Sequence, residues 1–216
     1  YDEVTLVFDD GIKRLARVVN VEARQLELIE ELADNVELPV QVTIASGFPK
    51  GDKLEFITQK VTELGASQIW AFPADWSVAK WDGKKLGKKV EKLEKIALGA
   101  AEQSKRNRVP EVTLFERKAD FLAQFGQFDR IVVAYEESAK EGETAALIQS
   151  LTGLEVGSKL LFIFGPEGGL SPAEIESFEA KGAVLAGLGP RILRAETAPL
   201  YALSAVSVVT ELMKNA

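Results

Sequence analysis

Two glycine-bearing loops carry residues of this chain whose types and spacing could do chemistry. Residues 160–169 read LLFIFGPEGG, an apolar run that ends in a glycine-rich turn with one carboxylate, Glu167. Residues 187–199 read GLGPRILRAETAP, in which Arg194 and Glu196 follow an apolar pair. Charged side chains bind ions or move protons when they are held at a fixed position out of bulk solvent. The two loops are therefore the first candidates for a ligand site.

The first loop is not typical of a phosphate site. It matches neither G-x-G-x-x-G nor G-x-x-x-x-G-K-[ST], and no lysine follows Gly169 to neutralise a phosphate. Ser171, Pro172 and Glu174 form the pattern of a helix cap, which uses the N–H groups that an anion would need. A ligand with a positive centre would suit Glu167, with glycine backbone groups close to its edge. A tight strand-to-helix turn without a ligand is equally compatible with these residues.

The second loop permits two interpretations of its arginines. Neither Arg191 nor Arg194 fits a helical stripe or a strand alternation, and an arginine outside solvent needs an anionic partner. One interpretation is an ion pair of Arg194 with Glu196, or of an arginine with Glu167, that only ties the two loops together. The other is a contact to a phosphate or a base at the mouth of a shared pocket. Because each loop follows a buried strand, the two loops together favour a shared pocket more than either loop does alone.

The composition restricts the chemistry. The 216 residues include no Cys and no His, which excludes disulfides, thiolate nucleophiles, the common zinc sites and a histidine base. A hydrophobic share of 46% is enough for a sizeable core. No apolar run approaches the roughly 20 residues that span a bilayer, so we expect a cytoplasmic soluble protein. The chain starts at Tyr1 and its one Met is Met213, so we expect its natural start to be missing.

The charge is unevenly distributed along the chain. The whole sequence carries −7, but residues 80–108 hold ten Lys or Arg against four acids, a local charge of +6. Such a stretch attracts a polyanion such as nucleic acid, because the local field matters more than the total charge. A solvated helix face with interleaved Glu and Lys explains the same residues, and on this feature alone it is the favoured interpretation.

The apolar pattern predicts two regions. Short strands are expected at 4–8, 16–22 and 25–31, with Asp10-Gly11 as a hairpin turn and a boundary near Pro39. Beyond it strands alternate with helices, which indicates a parallel sheet covered on both faces. Strands are predicted at 40–46, 68–72, 111–115, 130–135, 160–164 and 183–188, and helices at 50–64, 83–106, from Pro172, and from Ala198 to Met213. Ligands bind such sheets beyond the carboxyl ends of the strands, here the loops after 46, 72, 135, 164 and 188.

Four motifs, in this order along the chain, resemble the RsmE family, the 16S ribosomal RNA uridine-N3 methyltransferases of the SPOUT class. KGDKLEFITQKVTELG (50–65) is similar to the family's lysine-rich helix, and AAEQSKRNRVP (100–110) to its Glu-Gln-Ser-x-Arg segment. GPEGGLS (165–171) and LGPRILRAETA (188–198) resemble the family's paired C-terminal motifs.

Two positions depart from the family pattern. Trp76 stands where an Arg is expected before the serine of the ADWSVAK segment, so an RNA contact of that Arg does not carry over. Ala195 stands where Thr is usual between Arg194 and Glu196, so a hydroxyl contact does not carry over either.

The resemblance implies a fold and an activity. The fold is α/β, with a SPOUT methyltransferase domain at 39–216 that contains a C-terminal deep trefoil knot. Residues 1–38 are expected to be the remainder of an N-terminally truncated, PUA-like RNA-binding β-barrel. A homodimer without membrane or metal would transfer a methyl group from S-adenosylmethionine to N3 of a uridine in 16S rRNA of the small ribosomal subunit. The alternatives are a non-catalytic RNA-binding protein on a degenerate SPOUT platform and a SPOUT methyltransferase that acts on tRNA.

Roles for individual residues follow from this resemblance and from the chemistry of uracil. Arg194 would stabilise the negative charge that uracil gains when N3 loses its proton, and Glu196 would accept that proton. Glu167 would face a cationic group, or Arg194 across the pocket. The expected cofactor cradle is Gly165, Pro166, Glu167, Gly168, Leu188, Gly189, Ile192 and Leu193. The expected RNA contacts are Lys50, Lys60, Gln103 and Arg106, with the lysines of 84–95 adding sequence-independent attraction.

Overall fold

The structure is a computed structural model that describes residues 2–136 and 145–213. The strands are β1 (Glu3–Val7), β2 (Lys13–Asn20), β3 (Gln25–Leu32), β4 (Gln41–Gly47), β5 (Gln68–Phe72), β6 (Glu111–Leu114), β7 (Arg130–Ala134), β8 (Lys159–Phe164) and β9 (Val184–Ala186). The α-helices are α1 (Lys53–Glu63), α2 (Gly83–Gln103), α3 (Lys118–Leu122), α4 (Ala146–Leu151), α5 (Pro172–Glu179) and α6 (Ala198–Ser207). A 3-10 turn covers Phe125–Gln127, and a π-helical turn at Val208–Leu212 follows α6. None of the helices in these two ranges has both the length and the hydropathy that a bilayer crossing requires.

The first three strands form a small antiparallel sheet in the order β1-β2-β3. The predicted hairpin turn is confirmed, because Gly11 adopts a φ of 73° between β1 and β2 and its N–H donates to Phe8 O at 2.9 Å. Most side chains of this sheet are exposed or half-buried, and Lys13 and Ala16 are its buried residues. The sheet therefore has almost no core of its own.

The other six strands form a parallel sheet in the order β6-β5-β4-β8-β7-β9, as the alternation of strands and helices predicts. Side chains of its central strands enter two apolar clusters, one on each face. On β8, Phe162 packs in the cluster that contains Leu203 of α6, whereas Ile163 packs in the cluster that contains Phe178 of α5. Strands that are buried on both faces read as continuous apolar runs, and this is why no polar–apolar alternation marks them in the sequence.

Five parallel strands place their carboxyl ends at the edge where the predicted ligand loops begin. The loops after β4, β5, β8 and β9 lie within the described residues. The predicted loop after 135 runs into residues 137–144, which lie outside the described residues. The candidate site is consequently built from the other four loops.

Helix α2 ends three residues earlier than predicted, and this changes the role of Arg106. Lys105 has a φ of 56°, and the N–H groups of Lys105 and Arg106 donate back to Glu102 O and Ala101 O. This pair of hydrogen bonds is a Schellman motif, which reverses the chain direction at a helix end. A positive φ is uncommon for a residue other than glycine, so the sequence gives little sign of the turn.

The Arg106 guanidinium points inward and its side chain is only 3% exposed. It forms an ion pair with Glu37, and its Nη1 donates to Thr62 O at 3.1 Å and to Ala66 O at 2.7 Å. Thr62 lies in the last turn of α1 and Ala66 just beyond it, where a cation is stabilised by the helix dipole. The expectation that Arg106 contacts RNA is therefore corrected: its donors are used within the fold, where RNA does not reach them.

Replacement of Arg106 by methionine is expected to lower the free energy of unfolding by about 3 kcal/mol, because it leaves the Glu37 carboxylate largely buried without its partner. Urea unfolding followed by circular dichroism measures this loss. The matched control is Arg117→Met, which removes an ion pair to Asp120 from an arginine side chain that is 75% exposed. Equal unfolding curves for the two variants would contradict the structural role of Arg106.

Candidate active site

The carboxyl ends of β4, β5 and β8 meet without room for side chains between them. A Cβ atom at Gly47, the last residue of β4, would lie 2.6 Å from Pro166 Cδ and 2.9 Å from Ala74 Cβ. Both distances are shorter than carbon atoms tolerate. Glycine is thus required here by close contact, and that contact fixes the loop after β8 against the ends of its neighbours.

The GPEGG loop after β8 forms a tight turn that leads into a capped helix. Gly169 has a φ of 80° and donates its N–H to Pro166 O at 2.8 Å. The predicted capping box is confirmed at α5: Ser171 Oγ accepts from the Glu174 N–H at 3.2 Å, and Glu174 Oε2 accepts from the Ser171 N–H at 2.9 Å. These contacts occupy N–H groups at the start of α5 that an anionic ligand would otherwise bind.

A lysine of α1 joins the two loops. Lys53 Nζ lies 2.9 Å from Glu167 Oε1 in the first loop and 3.3 Å from Glu196 Oε2 in the second. Glu167 Oε1 also accepts the backbone N–H of Lys50 at 3.1 Å. All three charged side chains are about three-quarters buried, with exposures of 21–27%. We refer to Lys53, Glu167 and Glu196 as the carboxylate clasp.

Lys53 and Glu167 hold each other in their charged forms. The hydrogen bond to Glu167 is the main reason that the pKa of Lys53 is raised above its ordinary value, and Glu196 adds to it. Partial burial acts to raise the pKa of Glu167, but the hydrogen bonds from Lys53 and from backbone N–H groups outweigh it and lower that pKa. Two carboxylates face one ammonium group, so the clasp carries a charge of −1 at neutral pH.

Glu196 retains one unsatisfied oxygen. Its Oε2 is buried, and among the described residues it forms no hydrogen bond of good geometry despite the ion-pair contact with Lys53. A buried carboxylate oxygen that accepts no well-directed hydrogen bond is energetically unfavourable even beside an ammonium group, so this atom is suited to a ligand that brings an N–H donor or a positive charge. A cationic ligand, as the first loop suggested from its sequence, matches both this oxygen and the charge of the clasp.

Comparison with known proteins identifies the family. Residues 36–207 match the sequence model of the RNA methyltransferase domain. The ribosomal RNA small subunit methyltransferase E of Bacillus subtilis is 49% identical over 216 residues, which cover 99% of this chain and 84% of that protein. The chain belongs to the small subunit methyltransferase E family.

Solved structures agree with this placement. A crystal structure of a protein described as hypothetical is 47% identical, with a TM-score of 0.91, and the match covers 98% of this chain and 84% of the other. The small subunit methyltransferase E of Neisseria gonorrhoeae, solved bound to S-adenosylmethionine, is 26% identical with a TM-score of 0.80. That match covers 96% of this chain and 83% of the other.

In this family member, both sequence-predicted loops meet at the clasp, but the predicted arginine ion pairs do not form. Glu167 and Glu196 contact Lys53 rather than an arginine. Arg194 is exposed, and within residues 2–136 and 145–213 neither Arg191 nor Arg194 forms an ion pair. The interpretation in which an Arg–Glu pair ties the loops together is therefore wrong, and Lys53 performs that function.

The other predicted cofactor residues lie in the two loops as expected from their sequence positions. Gly165 must be glycine, since a Cβ there would lie 2.8 Å from the carbonyl carbon of Gly169. In the second loop Gly189 has a φ of 86°, whereas the Ile192 side chain is 76% exposed. Leu188 and Leu193 are half-buried. Their assignment to a cofactor remains a prediction.

The predicted RNA contacts do not form one cluster. Lys50 is exposed and adjacent to the clasp, because its own N–H binds Glu167. Lys60 is paired with Glu63 at 2.8 Å, two turns along α1 and about 10 Å from Lys53 along the helix axis. Gln103 is exposed at the C-terminal end of α2. Only Lys50 of these three residues belongs to the site itself.

Sequence reasoning missed Lys53. It lies in the KGDK segment, where two residues separate it from Lys50, and nothing in the sequence distinguishes the two. The second loop already offered two arginines as partners for the carboxylates, so no sequence feature indicated that a lysine of another element would pair with them. Within the described ranges, no group of three or more side chains is arranged to hold a metal ion.

Two cavities lie away from the clasp. One of about 310 Å³ lies at the amino-terminal ends of the parallel strands and is lined by residues such as Gln41, Gln68 and Lys159. The other, of about 660 Å³, lies beside the small sheet and is lined by Gly11 and Asn107 among others. Ligands of parallel α/β sheets bind at the opposite, carboxyl edge, so cavity size does not mark the active site here.

Proposed function

We propose that this protein transfers a methyl group from S-adenosylmethionine to N3 of a uridine in 16S ribosomal RNA. The observation that carries the proposal is the carboxylate clasp, which joins two glycine loops at the carboxyl edge of the sheet. It occurs in a chain 49% identical to the Bacillus subtilis small subunit methyltransferase E. The Neisseria gonorrhoeae relative of the same name was solved with S-adenosylmethionine.

The residues present fit this cofactor. S-adenosylmethionine has a sulfonium and an ammonium group and no phosphate, which agrees with a site of charge −1 and a capped helix start. When bound, it supplies an electrophilic methyl group. The adenosine part would lie against backbone groups of both loops, and Glu167 would face a cationic group. The proposed contact residues are Gly165, Pro166, Glu167, Gly168, Leu188, Gly189, Ile192 and Leu193.

Two residues of the second loop act on the uracil. N3 of uracil is a poor nucleophile until its proton is removed, and its anion spreads negative charge onto O2 and O4. Arg194 stabilises that anion, because its guanidinium is exposed and without an ion pair among the described residues. Glu196 accepts the N3 proton through Oε2, which lies in ion-pair contact with Lys53 but accepts no hydrogen bond among the described residues, since the chain contains no histidine for this role.

Electrostatic attraction brings the RNA to this edge. The uridine must leave its base stack before N3 can reach the site. Lys50 lies next to the clasp and would contact the backbone near the target nucleotide, while Lys60 and Gln103 would contact RNA at the far ends of α1 and α2. The exposed lysines of α2 add attraction that is independent of sequence and sensitive to salt.

The finer architecture is part of the proposal. We infer a deep trefoil knot in residues 39–216, supported by the return of the chain from edge strand β9 to pack α6 on α1 and β8. The small sheet within residues 1–38 is inferred to be part of a PUA-like barrel. This inference is supported by the near absence of a hydrophobic core in the described part of that sheet. We further propose a homodimer, and a cytoplasmic location because ribosomal RNA is the substrate.

The decisive experiment is nucleoside mass mapping. Small ribosomal subunits from a strain that lacks the modification are incubated with the protein and S-adenosylmethionine, and tRNA from the same strain is treated in parallel. The expected product is one 3-methyluridine in 16S rRNA and none in tRNA. Methylated tRNA alone would favour a tRNA enzyme. Absence of any product, with no heat of binding on titration with S-adenosylmethionine, would favour a non-catalytic RNA-binding protein.

A further inference from the structure

A tryptophan lies on the glycine loop beside the clasp. Trp76 follows β5, and a Cβ atom at Gly168 would lie 3.1 Å from Trp76 Cβ and 3.3 Å from its carbonyl oxygen. The six-membered part of the indole approaches Gly169, where a Cβ would be 3.9 Å from Cζ3. Gly168 directly follows Glu167, so Trp76 packs on the residue next to the clasp.

The backbone before Trp76 is firmly held. The Asp75 N–H donates to Glu174 Oε1 at 2.9 Å, and Asp75 Oδ2 accepts from Ser171 Oγ at 2.5 Å. Lys118 adds ion pairs to both Asp75 and Glu174. The hydrogen bond from Lys118, followed by that from Ser171, lowers the pKa of Asp75, so this carboxylate stays ionised at neutral pH. Through Asp75, the backbone that leads into Trp76 is fixed to the capped start of α5.

Half of the Trp76 side chain nevertheless remains open to solvent. Its exposure is 50%, whereas the core tryptophan Trp70 is 5% exposed. Val78, two residues further along, is 65% exposed. A single exposed apolar residue needs no explanation, but a large aromatic residue that packs on two glycines and directly follows the firmly held Asp75 is prearranged to bind a flat partner. Because the backbone at this position is already held, little conformational entropy is lost when such a partner binds.

We propose that Trp76 stacks on a base of the substrate RNA next to the target uridine. Single-stranded RNA is recognised by stacking of unpaired bases on aromatic side chains, and every base presents a flat face. The indole lies beside Gly169 in the loop that is proposed to hold the cofactor, and half of the residue is exposed to solvent, from which the RNA arrives. Trp76 is thus a substrate-binding residue that fixes the strand beside the reacting base. This inference rests on the proposed function.

The experiment compares Trp76→Ala, Trp76→Phe and the control Val78→Ala. Steady-state methylation of small ribosomal subunits gives KM and kcat, and calorimetric titration gives the affinity for S-adenosylmethionine. Trp76→Ala is expected to raise KM for the RNA by about tenfold, the usual effect of removing one stacked base contact, while the cofactor affinity stays the same. Trp76→Phe should restore most of the RNA affinity, and Val78→Ala should resemble the unmodified protein.

A fluorescence titration with a short single-stranded RNA oligonucleotide tests the stacking without catalysis. In a Trp81→Phe background, which removes the other half-exposed tryptophan, RNA is expected to quench the emission, and Trp76→Phe should lose that quenching while it still binds. The inference is overturned if Trp76→Ala binds RNA as tightly as the unmodified protein, or if quenching persists in Trp76→Phe. It is also overturned if Trp76→Ala loses affinity for S-adenosylmethionine alone, because the ring would then belong to the adenine of the cofactor. Failure of the unmodified protein to methylate 16S rRNA would instead contradict the proposed function.

Discussion

Arg194→Ala is expected to reduce kcat for methyl transfer by about 100-fold or more, with the affinity for S-adenosylmethionine largely unchanged. Removal of one charge-stabilising donor from an active site typically has an effect of this order. Arg194 is exposed and forms no ion pair in the described part of the chain, so its removal leaves no buried carboxylate unpaired. The loss should therefore appear in catalysis and not in stability. Single-turnover methylation of small ribosomal subunits, together with calorimetric titration of the cofactor, measures both quantities.

The matched control for Arg194 is Arg191→Ala. Arg191 is also exposed and lies on the same loop. If the arginines act only by attracting RNA through their charge, both variants should lose the same amount of activity. Part of that activity should return at low salt, because weaker screening strengthens the attraction of the RNA. A specific loss in Arg194→Ala that is independent of salt supports the stabilising role. Full turnover by Arg194→Ala would disprove it.

Lys53→Met is expected to separate the two loops and to lower kcat/KM by about tenfold or more, since it removes one cation that is shared by two carboxylates. Glu167 and Glu196 would then face each other as like charges in a largely buried place. In the absence of ligand, hydrogen exchange of the backbone amides in both loops should be about tenfold faster in Lys53→Met than in the unmodified protein. The reason is that the contacts of Lys53 with Glu167 and Glu196 hold the two loops together. Hydrogen exchange followed by mass spectrometry measures this for each loop separately.

Two further variants test whether the effect belongs to the clasp. Lys60→Met removes a comparable lysine from the same helix, one that is paired with Glu63 away from the site. It should leave exchange in the loops unchanged. Lys53→Arg keeps the charge and should restore most of the protection. If Lys53→Met leaves both loops as protected as before, the lysine does not join them.

The pH dependence of the clasp follows from the two pKa shifts. The pKa of Glu167 is lowered, so its stabilising contribution is complete above the ordinary glutamate range and is lost as the pH falls through the lowered value. The pKa of Lys53 is raised, so its contribution is complete below the ordinary lysine value and is lost as the pH rises through the raised one. Loop protection should thus be constant around neutral pH and should fall in acid and in strong alkali.

The sequence determined the local structure and the kind of site. The Asp10-Gly11 turn, the capping box at Ser171 and the apolar runs of the parallel strands act through neighbouring residues, and the structure confirms them. Helices α3 and α4 escaped prediction because five or six residues are too few to display an apolar stripe.

Only the tertiary structure decided which charges meet. Lys53 is separated by more than a hundred residues from each carboxylate that it contacts, and no local pattern distinguishes it from the lysines around it. Arg106 similarly appeared to belong to the basic RNA-facing stretch, until a left-handed Lys105 turned it into the core to meet Glu37 and the end of α1. Periodicity reports the face of an element on which a residue lies, whereas ion pairing depends on how strands and loops are ordered in space. The sequence therefore determined two carboxylate-bearing glycine loops, and the order of the parallel sheet brought them to one lysine.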